Sequence, residues 1–221
     1  PRPPPPTPSS NRRQRQMCIR DSINTAGVAV VEYDGAIAPT SVQPGDAVIL
    51  NGDLGRNGIA IMAQREGLSF ESTITSDTAP VADTVQALLA AGIEIHCLRD
   101  ATRGGVVSTL NEIATAAQVA IQLEEAAISV QPEVQGACEI LGLDPLYIAN
   151  EGRFLTIVPA AQAETARAII ATAQAVAGES CPVQIIGQVE AADAAMVTLK
   201  NAFGTERILD MISGEQLPRI C

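Results

Sequence analysis

The stretch Glu94-Ile-His-Cys-Leu-Arg-Asp-Ala-Thr-Arg-Gly-Gly-Val-Val-Ser-Thr-Leu-Asn-Glu-Ile-Ala-Thr-Ala-Ala-Gln-Val-Ala-Ile-Gln-Leu123 decides the fold class. Its apolar start predicts a strand over 94–98. Val107, Leu110, Ile113 and Ala114 then recur at the helical period and predict a helix over 104–117. A second strand is predicted over 119–123. Strand, glycine-marked turn, amphipathic helix and strand together form the unit of an α/β protein.

The same alternation continues outward. Toward the N-terminus, a helix is predicted over 79–91, with Thr78 as cap, Pro80 in the first turn and Gly92 as stop. A short helix over 58–66 precedes it, then strands over 47–51, after the Pro44-Gly45-Asp46 turn, and over 27–33. Toward the C-terminus come a helix over 132–141 closed by Gly142, a strand over 154–158, a helix over 161–175 and a strand over 184–189. Weaker strands follow over 196–199 and 205–209. The expected architecture is an α/β sandwich, a mixed sheet with packed helices, and there is no internal repeat.

Composition narrows the class. The 221 residues are 47% hydrophobic, yet Trp is absent and Tyr and Phe are scarce, so Ala, Val, Ile and Leu must build the core. A net charge of -11 argues against nucleic acid and anionic membranes as partners. No apolar run is long enough to span a bilayer, and no secretory signal is visible. The irregularly spaced cysteines form neither a disulfide framework nor a Cys-x-x-Cys metal site, so a reducing, cytoplasmic setting is expected. Residues 1–22 stand apart. They are Pro-rich and carry Arg2, Arg12, Arg13, Arg15 and Arg20 of the chain's fourteen Lys and Arg, and are expected to be a disordered leader, either a proline-rich docking arm or a cloning scar.

Four segments carry residues suited to chemistry. Asn51-Gly52-Asp53-Leu54-Gly55-Arg56-Asn57-Gly58 joins a strand to a helix. It is either a phosphate-binding turn or an ordinary glycine-rich one, and it is not a Walker A loop because no Lys-Ser/Thr pair follows. Arg99-Asp100-Ala101-Thr102-Arg103-Gly104-Gly105 also opens a helix. Asp100 or Thr102 can cap it, and Arg103 either holds an anion or is simply solvated. Asn150-Glu151-Gly152-Arg153 places a carboxylate at the start of a strand, as a general base or as part of a turn. Leu217-Pro218-Arg219-Ile220-Cys221 ends on a thiol, which is either a swinging carrier or a frayed end. Among the remaining candidates, His96 reads as a core or edge histidine, Cys97 and Cys138 as buried and inert, and Cys181 as a loop residue. Cys18 lies in the leader, and no metal site is indicated.

Together with Ile23-Asn24-Thr25-Ala26-Gly27, these segments resemble, in this order, the HypE family, the carbamoyl dehydratases of nickel–iron hydrogenase maturation. The likeness runs from about Ile23 to Cys221. Its specificity comes from Asp-Ala-Thr-Arg-Gly-Gly and a terminal Pro-Arg-Ile-Cys in one chain. The family belongs to a superfamily with aminoimidazole ribonucleotide (AIR) synthetase and selenophosphate synthetase, whose members have two α/β domains and use ATP to activate a poor leaving oxygen. The resemblance implies the C-terminal domain of the AIR synthetase-like fold over 46–212. Residues 23–45 would be a strand and linker toward an ATP-binding domain, and 213–221 a flexible tail.

It also implies a chemistry. A carbamoyltransferase, HypF, loads a carbamoyl group onto the terminal thiol. ATP, with Mg, phosphorylates the amide oxygen, and loss of phosphate leaves a thiocyanate. The cyano group then passes to iron on the HypC–HypD complex. On the matching positions, Cys221 is the covalent carrier, Glu151 deprotonates or orients the amide, and Arg103 stabilises charge on the phosphoryl group. Asp100, Thr102, Gly104 and Gly105, with Gly52, Gly55 and Gly58, are the nucleotide- and phosphate-binding positions. The family's N-terminal half, with its magnesium ligands and its dimer interface, finds no match. The expectation is therefore a fragment that accepts a carbamoyl group and does not dehydrate it alone. The alternatives are another ATP-dependent synthetase of the superfamily, or a non-catalytic docking module of the maturation complex.

Overall fold

The computed structural model describes residues 28, 30, 33–66, 74–178 and 181–211. The expected leader, most of the strand expected over 27–33, Cys18, and the tail with Cys221 lie outside them. The chain divides into two units, Pro1–Asp34 and Gly35–Cys221. Every element below belongs to the second.

In chain order these are β1 (Asp46–Leu50), α1 (Arg56–Glu66), α2 (Ala82–Ala90), β2 (Cys97–Asp100), α3 (Gly105–Ala117), β3 (Ala120–Glu124), α4 (Pro132–Leu141), β4 (Phe154–Pro159), α5 (Ala160–Val176), β5 (Gln184–Glu190), β6 (Met196–Lys200) and β7 (Glu206–Ile208). Short 3-10 turns lie at Pro39–Ser41, Glu125–Ala127 and Pro145–Tyr147. The strands form one seven-stranded sheet in the order β2-β4-β1-β5-β3-β6-β7. Only the β3–β6 pairing is parallel among the described strands, so the sheet is mixed, as expected.

Strand alternation sends neighbouring side chains to opposite faces. Along β1, Val48 and Leu50 join the core under α3, with Val107, Leu110 and Ile113. Ala47 and Ile49 face the other way and pack with Leu88 of α2 and Ala166 and Ile170 of α5. β1 is therefore apolar and buried along its whole length, which its position between β4 and β5 and between two helical layers requires. A third cluster joins Ile59 of α1 to Val134 and Cys138 of α4 and to Ile148. Burial pushes the thiols of Cys97 and Cys138 up to about 11, so both are inert packing residues at neutral pH. No helix among the described residues is long and apolar enough to cross a membrane.

Several boundaries differ from the expectation for identifiable reasons. The helix expected from residue 79 begins at Ala82, and its N-cap, Val81, makes no side-chain capping bond. Thr78 instead pairs with Ser76 Oγ, and Ser76 donates to Asn57 Oδ1 at 2.8 Å, which holds this segment as a loop against α1. α1 starts two residues earlier than predicted, because the Gly55 carbonyl accepts the Ile59 N–H. α3 is capped by neither Asp100 nor Thr102. Its N-cap is Gly104, at φ 65°, a left-handed conformation that favours glycine.

β2 begins at Cys97 rather than residue 94, so Arg99 and Asp100 belong to the strand. The reason lies in His96. Its carbonyl accepts the Ala38 N–H, and its Nδ1 lies 2.7 Å from Asp46 Oδ2, while Nε2 lies 3.4 Å from Glu94 Oε1. The Asp46 carboxylate also accepts the Gln43 N–H. His96 is thus a core histidine, and it links the start of β1 to the approach to β2.

Burial of the His96 ring opposes its charge, but Asp46 and Glu94 outweigh burial and raise its pKa above 6.5. The native state therefore binds this proton more tightly than the unfolded chain. The resulting stabilisation is complete below about 6.5 and disappears as pH rises through the raised native value. Urea denaturation between about pH 6 and 9 should show the midpoint falling with pH, and His96→Gln should remove that part of the slope.

Candidate active site

β1 and β2 both run antiparallel to β4, which lies between them. Their C-terminal ends therefore meet the start of β4, with Leu50 opposite Leu155 and Asp100 opposite Phe154. Three of the four segments singled out in the sequence converge here. Buried asparagines join them. Asn51 accepts the Phe154 N–H at 2.8 Å and donates to the Gly152 carbonyl at 3.0 Å. Asn150 accepts the Gly55 N–H at 2.9 Å and donates to Ile148. Backbone bonds from Ala101 to the Arg153 carbonyl, and from Asn150 to the Ala101 carbonyl, attach the Arg99–Gly105 segment.

Beneath the loops lies a buried charge cluster. The Arg153 guanidinium is fully enclosed. Its Nη2 reaches Asp53 Oδ1 at 2.7 Å, and its Nε donates to both the carbonyl and the carboxylate of Asp53. Arg56 approaches the other carboxylate oxygen at 2.8 Å. Asp77 Oδ2 lies 3.8 Å from Arg153 Nε. Cys181 Sγ receives Arg153 Nη2 at 3.2 Å and Arg56 Nη2 at 3.4 Å, and donates to Asp53 Oδ1 at 3.3 Å. Burial alone would raise the Asp53 pKa, but the two guanidiniums reverse the sign and lower it. For Asp77 burial prevails, and its pKa is raised. Burial likewise raises the Cys181 thiol.

At the β2 edge of the sheet the surface opens into a cavity of about 390 Å³, lined by Arg99, Asp100, Thr102, Arg103, Thr109 and Glu112. Arg99 bridges Asp100 at 3.1 Å and Glu112 at 2.6 Å. Thr102 Oγ1 donates to Asp100 Oδ2 at 2.5 Å, and this bond leads in lowering the Asp100 pKa. Arg103 is exposed and forms no ion pair with any described residue. Glu151 stands exposed on the neighbouring loop. Partial desolvation, then the charges of Asp77 and Asp100, raise its pKa above 4.5. Arg103, with no partner among the described residues, and Glu151, with its raised pKa, thus stand on loops that follow β2 and precede β4, a combination that suits anion binding coupled to proton transfer.

The glycines expected at a phosphate mostly meet protein atoms. A Cβ on Gly52 would lie 2.6 Å from Arg153 Nε, one on Gly58 would strike Ile148, and one on Gly105 would strike the backbone of Leu146–Ile148. Gly55 adopts φ 89°. Among the expected positions, Asp100, Thr102 and Arg103 line the cavity, and Cys221 lies outside the described residues. Sequence reasoning missed Asp53, Asp77 and Cys181. Asp53 was visible only as the acid inside a glycine-rich turn, and neither Asp77 nor Cys181 stands in a periodic pattern. Among the described residues, no three His, Cys, Asp or Glu side chains are placed to share a metal ion.

Comparison with known proteins gives this geometry a context. Residues 43–200 match the family described as AIR synthase related protein, C-terminal domain. The carbamoyl dehydratase HypE of Azotobacter vinelandii is 45% identical over 199 residues, covering 90% of this chain and 57% of that protein. A crystal structure of the hydrogenase maturation protein HypE in complex with ATP superposes with a TM-score of 0.78 at 38% identity, over 86% of this chain and 57% of that one. A HypE–HypF complex gives a TM-score of 0.76 at 35% identity, over 82% of this chain and 58% of the other. The chain thus spans well under two thirds of the length of these relatives.

The two arginines of the site should respond oppositely to truncation. Arg153→Met leaves Asp53 and Asp77 buried with only Arg56 nearby, and should cost about 3–5 kcal/mol in urea denaturation. Arg103→Ala, at an exposed position with no ion-pair partner among the described residues, should stay within about 0.5 kcal/mol of the parent.

Proposed function

We propose, for a chain that belongs to the AIR synthase related family through that family's C-terminal domain and is homologous to HypE along 90% of its length, that it serves the ATP-dependent dehydration of a carbamoyl group carried on Cys221. The product is a thiocyanate, the source of cyanide for the iron of nickel–iron hydrogenase, and the reaction belongs to the cytoplasm. The observation that carries this reading is the placement of Arg103, without an ion-pair partner among the described residues, and Glu151, with a raised pKa, on adjacent loops at one end of the sheet.

The chemistry needs both groups. A thiocarboxamide oxygen leaves poorly, and phosphorylation corrects that. The amide oxygen attacks the γ-phosphorus of ATP and ADP departs, while the nitrogen gives up one proton. The second N–H proton is then lost as the C–O bond breaks, releasing phosphate and leaving S–C≡N. The net change is removal of one water at the expense of ATP. Glu151 is assigned the proton taken from nitrogen. A carboxyl with a raised pKa is a stronger base than an ordinary one. Arg103 is assigned the charge that develops on the phosphoryl oxygens. Asp100 and Thr102, locked to one another, shape the wall between them, and the Gly104-Gly105 turn brings the start of α3 to the same place. Gly52, Gly55 and Gly58 act by letting the supporting loop pack closely beneath. Magnesium would arrive with ATP as its phosphate complex.

Carbamoyl loading is assigned to a HypF-type carbamoyltransferase, and a complex of that kind is known for a HypE relative. Delivery of the cyano group is assigned to a HypC–HypD complex. Pairing of two copies is assigned to the remaining length of the relatives.

The intact mass of the chain, after incubation with the carbamoyltransferase, carbamoyl phosphate and ATP, tests the reading. A carbamoyl adduct that Cys221→Ala abolishes is expected. Where that adduct goes on to lose one water, Glu151→Gln should slow the loss by about 10²–10⁴-fold. Arg103→Ala should slow it by about 10²–10³-fold. Neither variant should impair loading. Absence of any adduct on a folded chain would overturn the carrier role and leave a docking module as the reading.

A further inference from the structure

Asp77 is a buried carboxylate that the reaction above does not use, yet it touches the residue assigned as base. The segment containing it crosses the Asn150–Arg153 loop at close range. A Cβ on Gly152 would collide with the Asp77 carbonyl and lie 2.8 Å from the Ala79 nitrogen, so only glycine permits the crossing. At that point Asp77 Oδ1 accepts the backbone N–H of Glu151 at 3.2 Å. Asp77 Oδ2 is enclosed, accepts no hydrogen bond from a described group, and faces Arg153 Nε at 3.8 Å. Ser76, bonded to Asn57, holds the segment in place.

We propose that Asp77 is a positioning residue for Glu151: it fixes the Glu151 backbone through its Oδ1 and brings a second, buried carboxyl group to the base. The inference rests on the reading of Glu151 as the base. Other charges act on the same pair. Asp100, at the end of β2, adds to the negative field at Glu151. Arg153 and Arg56 face Asp77 from the opposite side and favour its ionised form, against the cost of its burial. Asp53 takes the direct ion pairs of both arginines, which leaves Asp77 the more distant partner. The charge of one carboxyl disfavours that of the other, so the two titrations are expected to be coupled.

Carbon-13 NMR of the side-chain carboxyls in the full chain tests this without reference to turnover, with Glu151→Gln used to assign the Glu151 signal. In the parent, the Glu151 midpoint should lie above 4.5 and its curve should share an inflection with that of Asp77. Asp77→Asn keeps an acceptor for the N–H and removes the charge, so the Glu151 midpoint should fall toward 4.5. The acid limb of the dehydration rate, where measured, should move down with it. An unchanged midpoint in a folded Asp77→Asn variant would overturn the proposal. If that variant does not fold, the parent decides: a shared inflection supports the coupling, and independent single-step curves overturn it. Dehydration that survives Glu151→Gln would remove the base assignment while leaving the Asp77–Glu151 coupling standing, so the two failures read differently.

Discussion

A guanidinium with no exposure to water must be paired and hydrogen-bonded, or the fold cannot hold it. Arg153 is in that position, and much of the site's architecture follows from satisfying it. The Asn51–Gly58 turn brings up both the carbonyl and the carboxylate of Asp53, and Gly52 must lack a side chain because the guanidinium occupies that space. The 74–80 segment contributes Asp77, and the chain after α5 contributes the Cys181 sulfur. Elements distant in sequence are thus drawn to one point by a single positive charge. The cluster does not stabilise by charge alone, since desolvation offsets much of the attraction. Its effect is specificity of arrangement, because removing any one partner leaves another buried and uncompensated.

The sheet makes this convergence possible. With β4 between two strands that run against it, the turns leaving β1 and β2 and the turn entering β4 fall at the same end. Asn51 and Asn150 then substitute for the backbone pairing that stops where the strands diverge. Because β1 is buried on both faces, this end of the sheet has little freedom to shift, and the loops above it inherit that rigidity. The cavity forms where the sheet reaches its β2 edge, with α3 supplying Thr109 and Glu112 as its far wall.

The elements legible in the sequence were those with strong local signals. The helix Pro132–Leu141 was read to the residue, because proline at its start and the left-handed Gly142 just past its end are both local requirements. The mixed sheet with packed helices followed from the alternation of patterns. The errors arose where a distant partner overrode the local signal. Thr78 was free to cap in the sequence, but its neighbours Ser76 and Asp77 are tied to Asn57 and Glu151 in the structure. The start of β2 shifted because His96 is tied to Asp46, and nothing local to His96 shows that. Of the candidate site, the Asp100–Gly105 and Glu151 segments were visible as motifs. The supporting cluster was not, because Asp53, Asp77 and Cys181 become one environment only through tertiary contacts spanning most of the chain.

Arg103 and Arg153 show how the same side chain divides between structure and chemistry. Both stand in glycine-containing turns at the same end of the sheet, and only Arg103 reads as an anion-binding candidate in the sequence. Arg153 points inward and is committed to Asp53, so it has no charge to offer a ligand. Its neutralisation nevertheless shapes the surface, because Asp77 is left only partly compensated beneath Glu151. Arg103 points outward beside the cavity and is committed to nothing described. On the proposed reading, an arriving anion would meet Arg103 on one loop and Glu151 on the next, with Asp53 matched by two guanidiniums and Asp77 only partly so. A surface built otherwise, with Arg153 exposed and Asp53 unpaired, would hold a ligand by bulk charge. On the proposed reading this one would hold it by position, which a transfer between two bound groups requires.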